Sequence, residues 1–189
     1  MNKKQKDILE AASEIFMRYG VHRTTMSEIA LAAKISRPTL YGYYTNKEKL
    51  LGGVIEFWND QVIEKILKDM EDQGNLSGKL EIFFTHAVIT AFDLMKSWPD
   101  ASDILSGDNQ VATDAYLKGL EKQAGLVEKI LEPYAATITE TGLTVSQYAT
   151  FIVTTASKLK MTLSTRAQLE ALLQSLKVSI LCVADQRHG

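Results

Sequence analysis

Apolar residues recur along this chain at three- and four-residue spacing, and no stretch sustains a two-residue alternation. The pattern predicts helices throughout. The first covers Lys3 to Tyr19, with Ile8, Leu9, Ala12, Ile15, Phe16 and Tyr19 on one stripe and Gly20 as its stop. Thr25-Met26-Ser27-Glu28 has the spacing of a capping box and opens a second, short helix with Ile29, Ala30 and Ala33 inward. Ser36 caps a third, with Pro38 in its first turn, Leu40 as core anchor and Gly42 near its end. Asn46 starts a long fourth helix to about Met70. A fifth, apolar nearly all round, runs from about Lys79 to Trp98 and stops at Pro99. A short helix over Ala101 to Leu105 follows, then one from Gln110 towards Glu140, kinked near Pro133. Thr144 and Thr165 open the last two, to about Met161 and Asp185.

The fold class expected is therefore all-α, with about nine helices. Residues 1–50 form a three-helix bundle, and residues 51–189 form a larger helical body. No run of 18 uninterrupted apolar residues interrupts this picture, and the one cysteine, Cys182, excludes an internal disulfide. Both point to a cytoplasmic protein with no membrane partner.

The net charge of −2 is uninformative until it is divided. Residues 1–51 carry nine Lys and Arg against five acids, a net +4 that leaves the rest at −6. A basic head on an acidic body suits a protein that meets phosphate at one end. Within that head, the second and third helices and their three-residue turn make a helix-turn-helix. Such a unit lays its second helix in the major groove, its first residues towards base edges. Those residues are Arg37, Pro38 and Thr39. Arg37 can pair bidentately with guanine, Thr39 can reach a base or phosphate, and Pro38 offers an apolar face to a thymine methyl. Thr24, Thr25, Ser27, Ser36, Tyr41, Tyr43, Tyr44 and Lys47 supply donors for a phosphate clamp around them.

The run from Thr24 to Ala30, followed by Ile35-Ser36-Arg37-Pro38-Thr39-Leu40-Tyr41-Gly42-Tyr43-Tyr44-Thr45-Asn46-Lys47 through Leu51, resembles the TetR-type (tetracycline-repressor-like) DNA-binding domain. Phe16 and Tyr19-Gly20 extend the likeness, and Gly42 departs from it, since many relatives hold a bulkier residue there. The resemblance implies DNA contacts at Thr25, Ser27, Arg37, Pro38, Thr39, Tyr41, Tyr43 and Lys47. It further implies a homodimer on a palindromic operator in double-stranded DNA, and a repressor released by a small-molecule effector.

In such proteins the body holds the effector. The candidate lining is Trp58, Gln61, Val62, Phe83, Phe84, His86, Ala87, Phe92, Asp103, Tyr116, Leu120, Gln123, Phe151 and Thr155, with few charges, so an apolar or aromatic effector is expected. Ile152, Ala156, Leu169, Leu172, Leu173, Leu176 and Ile180 on the last two helices are the expected dimer interface, a four-helix bundle across two chains. The alternative is that they only close the monomer core. No HExxH, CxxC, GxSxG or glycine-rich phosphate loop occurs, so no enzyme, metal site or cofactor is expected. The rival readings are a regulator of this type that activates or answers to a protein partner, and a helical small-molecule enzyme.

Overall fold

A computed structural model describes residues 1–97 and 109–185. The described residues form helices α1 (Lys3–Tyr19), α2 (Met26–Ala32), α3 (Arg37–Tyr43), α4 (Lys47–Met70) and α5 (Leu76–Phe83), a π-helical segment (Phe84–Ile89), and α6 (Thr90–Ser97). After the gap come α7 (Gln110–Leu131), a 3-10 turn (Glu132–Tyr134), α8 (Ala135–Glu140), α9 (Val145–Thr162) and α10 (Arg166–Ala184). There is no strand among them. The short helix expected over 101–105, and Asp103 with it, lie outside the described residues.

Local chemistry sets the boundaries. Thr25 and Glu28 form the full reciprocal capping box of α2, as Thr144 and Gln147 do for α9. Ser36 accepts from the Thr39 amide, and Asn46 accepts from the Lys49 amide. Thr165 accepts from the Gln168 amide at the start of α10. Gly20 ends α1 at φ 83°, ψ 154°, a positive φ outside the left-handed helical region expected of it. Pro133 does more than kink: the helix stops at Leu131 and restarts at Ala135 through the 3-10 turn. The apolar helix expected from Lys79 starts earlier, at Leu76, because Asn75 caps it through the Gly78 amide, and it widens into the π-helical segment at Phe84.

The chain groups into two compact units. Unit 1 comprises Met1–Asp60 and Leu94–Gly119, and unit 2 comprises Gln61–Asp93 and Leu120–Gly189. Unit 1 has its own core of Ile8, Phe16, Ile29, Leu40, Leu50 and Leu51, to which α7 contributes Ala112. Two glycines of α4 permit this packing. A Cβ at Gly52 would stand 2.7 Å from Val111 Cγ1, and one at Gly53 would stand 2.8 Å from the Tyr44 ring. An ion pair between Lys118 and Glu56, 2.9 Å, adds a polar link between α7 and α4.

Unit 2 is built on Ile66, Leu80, Phe83, Leu131, Ile138 and Ile152. Phe83 and Phe84 meet edge to face at 5.7 Å. At the end of α9, Lys160 is buried, and desolvation pulls its ammonium down to about 8. α10 is long and apolar enough to cross a membrane by length and composition, with a mean hydropathy of 1.3, although no uninterrupted apolar run marks it. Only 22% of that stretch is buried within the chain, so the helix carries more apolar surface than its own core uses.

Candidate nucleic-acid interface

The recognition elements in unit 1 are held from behind. Leu40 is fully buried under α3, and Tyr44 is 8% exposed. The Tyr44 hydroxyl accepts from Gln5 Nε2 at 3.3 Å, and burial pushes the phenol above its ordinary range. Tyr44 therefore anchors α3 from inside the head. Arg37, Pro38, Tyr41 and Tyr43 project outward from the same short helix. Tyr41 and Tyr43 are 42% and 38% exposed. Thr39 is half-buried and shares a hydrogen bond with the Ser36 hydroxyl at 2.7 Å. A side chain at Gly42 would meet nothing within 4 Å, so the bulkier residue of relatives would fit here without strain.

The turn before α2 presents Thr25 and Ser27. Thr25 is exposed at the helix start, and Ser27 is half-buried two residues on. Glu28 accepts from both the amide and the hydroxyl of Thr25, at 2.7 and 2.8 Å. Those bonds hold its carboxyl below the usual range, so it stays ionised at neutral pH and keeps the cap closed. Thr24 is 2% exposed and its hydroxyl donates to Gly20 O at 2.7 Å. Its place is inside the turn, because that turn needs an internal donor where α1 leaves a carbonyl open.

Lys47 also turns inward. Its ammonium donates to the carbonyls of Val21 (2.7 Å), His22 (3.3 Å) and Thr24 (2.9 Å). Three donors meet three acceptors, so the side chain pins the α1–α2 turn to the start of α4. Such a network is not visible in sequence, since its acceptors are backbone atoms more than twenty residues away. Lys47→Ala is expected to destabilise the head by about 1–3 kcal/mol. It should weaken all duplexes alike while leaving the slope of log affinity against log salt nearly unchanged. A slope flattened by about one unit would instead put the ammonium on a phosphate.

The body residues named from sequence scatter over both units. Trp58 and Tyr116 belong to unit 1, where the Trp58 indole N–H donates to the Ser13 hydroxyl. In unit 2, Phe83, Phe84, Ala87 and Phe92 are buried, and Val62, Leu120, Gln123 and Thr155 are half-buried. Gln61 is exposed, with its amide 3.5 Å from Glu64 Oε2. His86, on the π-helical segment, bonds Asp69 Oδ2 at 2.7 Å. Phe151 is 55% exposed. Of the seven residues expected at a subunit interface, Ile152, Ala156, Leu169, Leu173 and Ile180 are buried inside the chain itself. Leu176 is half-buried and Leu172 is 44% exposed. Periodicity marks a residue as apolar-facing but does not say whose apolar surface it faces.

A helix-turn-helix with its second helix outward and anchored from behind has the geometry of a DNA-reading head. Residues 8–54 match the bacterial regulatory proteins of the tetR family. An uncharacterized HTH-type transcriptional regulator of Bacillus subtilis, YfiR, is 35% identical over 73 residues, covering 39% of this chain and 36% of that protein. The fatty acid metabolism regulator protein of the same organism is 26% identical over 129 residues, 68% of this chain and 59% of that one. The chain thus spans between about a third and three fifths of these two curated relatives. The fold is shared along its whole length. A putative TetR-family regulator from Syntrophomonas wolfei superposes with a TM-score of 0.69 at 14% identity, covering 98% of this chain and 97% of that one. One from Mesorhizobium loti gives 0.67 at 21% identity, with 96% of each chain covered.

Proposed function

We propose that this protein is a cytoplasmic, homodimeric transcriptional regulator that binds a palindromic operator and is released from it by a small apolar effector. The observation that carries the reading is the outward row Arg37, Pro38, Tyr41 and Tyr43 on a helix fixed by buried Leu40 and Tyr44. Base edges are read by Arg37, Pro38 and Thr39, and phosphates are held by Thr25, Ser27, Ser36, Tyr41 and Tyr43.

The dimer is supported by what α9 and α10 leave uncovered. On α10, Gln168, Ala171, Leu172, Ser175, Val178, Ser179 and Cys182 form one exposed stripe. On α9, Thr150, Phe151, Thr154, Lys158 and Met161 form another, with Phe151 stacked on Tyr148 at 6.3 Å. Two such faces from each of two chains close a four-helix bundle. This is the use we assign to the unspent apolar surface of α10. The interface is then Leu172 and Val178 with Phe151 and Met161, while Leu173 and Ile152 remain core.

The test is selection of bound duplexes from a random library. The protein should enrich a two-fold symmetric site with half-sites about one helical turn apart, or a multiple of that. Arg37→Ala should lose preference at one base pair per half-site, about 1–3 kcal/mol, with non-specific affinity little changed. Unchanged preference would remove Arg37 from base readout. The apolar character of the buried set in unit 2, and the fatty acid metabolism named for the Bacillus relative, support an apolar effector. Release of bound duplex by acyl or aromatic compounds, and not by divalent metal ions, is the corresponding expectation.

A further inference from the structure

Gly42 stands inside α3, where a glycine needs a reason. Glycine is the poorest helix former after proline, so its place in a helix of seven residues weakens that helix. Chains accept that cost for a left-handed backbone, for close packing against a neighbour, or for close approach to a ligand. The first reason does not hold. Among the described glycines φ is positive at Gly20 and Gly142 but not at Gly42, and α3 ends at Tyr44 in extended conformation. Nor does the second, since a Cβ at Gly42 would meet no described atom within 4 Å. Gly52 and Gly53 of the same head differ in this respect, for Cβ atoms there would strike neighbours at 2.7 and 2.8 Å.

The third reason fits the place of Gly42. It is two residues from buried Leu40, about 200° round the helix, so it faces directly away from the core. Pro38 and Thr39, one turn earlier, share that face. Tyr41 and Tyr43 stand about 100° to either side, both exposed, and leave a notch between them. An α-helix with its side chains is about 10–12 Å across, and the major groove is about 12 Å wide. A side chain at the leading edge of α3 would hold the helix off the groove floor. A bare Cα lets it descend by about the length of a carbon–carbon bond.

We propose that Gly42 determines sequence specificity through its missing side chain: the edge of a base pair seats in the notch between Tyr41 and Tyr43, and α3 thereby lies deep enough for Pro38 and Thr39 to touch the neighbouring bases. The inference rests on the DNA-binding reading above. It adds a position that reads DNA by fit to those that read it by contact.

The test uses a duplex of about two helical turns that the wild-type protein selects from a random library, beside an unrelated duplex of the same length. Full-length wild type, Gly42→Ala and Gly42→Gln are titrated on both, and their thermal melts are compared. Gly42→Ala should melt no lower than wild type, because alanine favours the helix and finds open space. Its affinity for the selected duplex should nonetheless fall about tenfold, and that of Gly42→Gln further, while all three bind the unrelated duplex about equally. A new selection with Gly42→Ala should show relaxed preference at one base pair per half-site. An alanine variant that keeps the wild-type affinity, or a glutamine variant that exceeds it, would overturn the proposal. Equal losses on the two duplexes would do the same, by making Gly42 a general spacer against the DNA backbone. So would a lower melt for Gly42→Ala, since the chain itself would then need the glycine. If wild type selects no duplex at all, the DNA-binding reading falls as well, and the two failures are told apart.

Discussion

A chain carrying Leu172→Glu together with Val178→Glu should be a folded monomer that holds DNA weakly. These side chains are 44% and 47% exposed, so the substitutions leave the chain's own core intact while placing two carboxylates in the face assigned to the partner. Unlinking the two heads turns the second half-site contact from an intramolecular event into an independent one, and operator affinity should fall by about 10²–10⁴-fold. Light scattering reads the mass, circular dichroism the fold, and a mobility-shift titration the affinity. Leu173→Glu should behave differently. Leu173 is 3% exposed in the core of unit 2, so a charge there should unfold the body before it reports on association. A mass of one chain for the unmutated protein, at the concentration where it binds DNA, would end the dimer reading.

The second large effect belongs to Lys160, whose side chain is buried at the end of α9. Desolvation lowers its ammonium from 10.5 to about 8. Below pH 8 the lysine is charged in both folded and unfolded chains, and the folded one bears the full cost of holding it out of water. Between about pH 8 and 10.5 the unfolded chain binds more protons, so stability rises with pH as that cost is relieved. Lys160→Met keeps the length of the side chain and removes the charge. It is expected to stabilise unit 2 by roughly 1–3 kcal/mol at pH 7, after allowing for the polar contact the lysine gives up. The advantage should shrink towards zero near pH 10.5. Urea melts at pH 7 and pH 10 test it; equal gains at both would remove desolvation as the cause.

The head was legible from sequence because its signals are local. Thr25 and Glu28 sit three residues apart, Ser36 caps through Thr39, and Leu40 lies between exposed Arg37 and Tyr41, so a short window holds both cause and effect. Lys47 and Thr24 show the opposite case. Both are polar residues in a basic segment, and only tertiary contacts reveal that their donors turn inward. The inclusion of 94–119 in unit 1 was equally hidden, since it depends on Val111 meeting Gly52 across almost sixty residues. For α10 the pattern showed an apolar helix correctly but could not divide it into the face that closes the core, at Leu169, Leu173 and Ile180, and the face left outward at Leu172 and Val178.

The π-helical turn over Phe84–Ile89 bears on how tolerant this body is of changes in length. A wider turn takes up one residue more than an α-helix of the same rise, while Phe84, Val88 and Phe92 all stay buried. Most helices of a packed core register a single deletion as a rotation of everything that follows. Here the turn can narrow, and the residues on either side can keep their neighbours. Homologous genes that differ by one codon in this stretch can therefore encode the same core, and an alignment gap at 84–89 would be a change of pitch and not a change of fold.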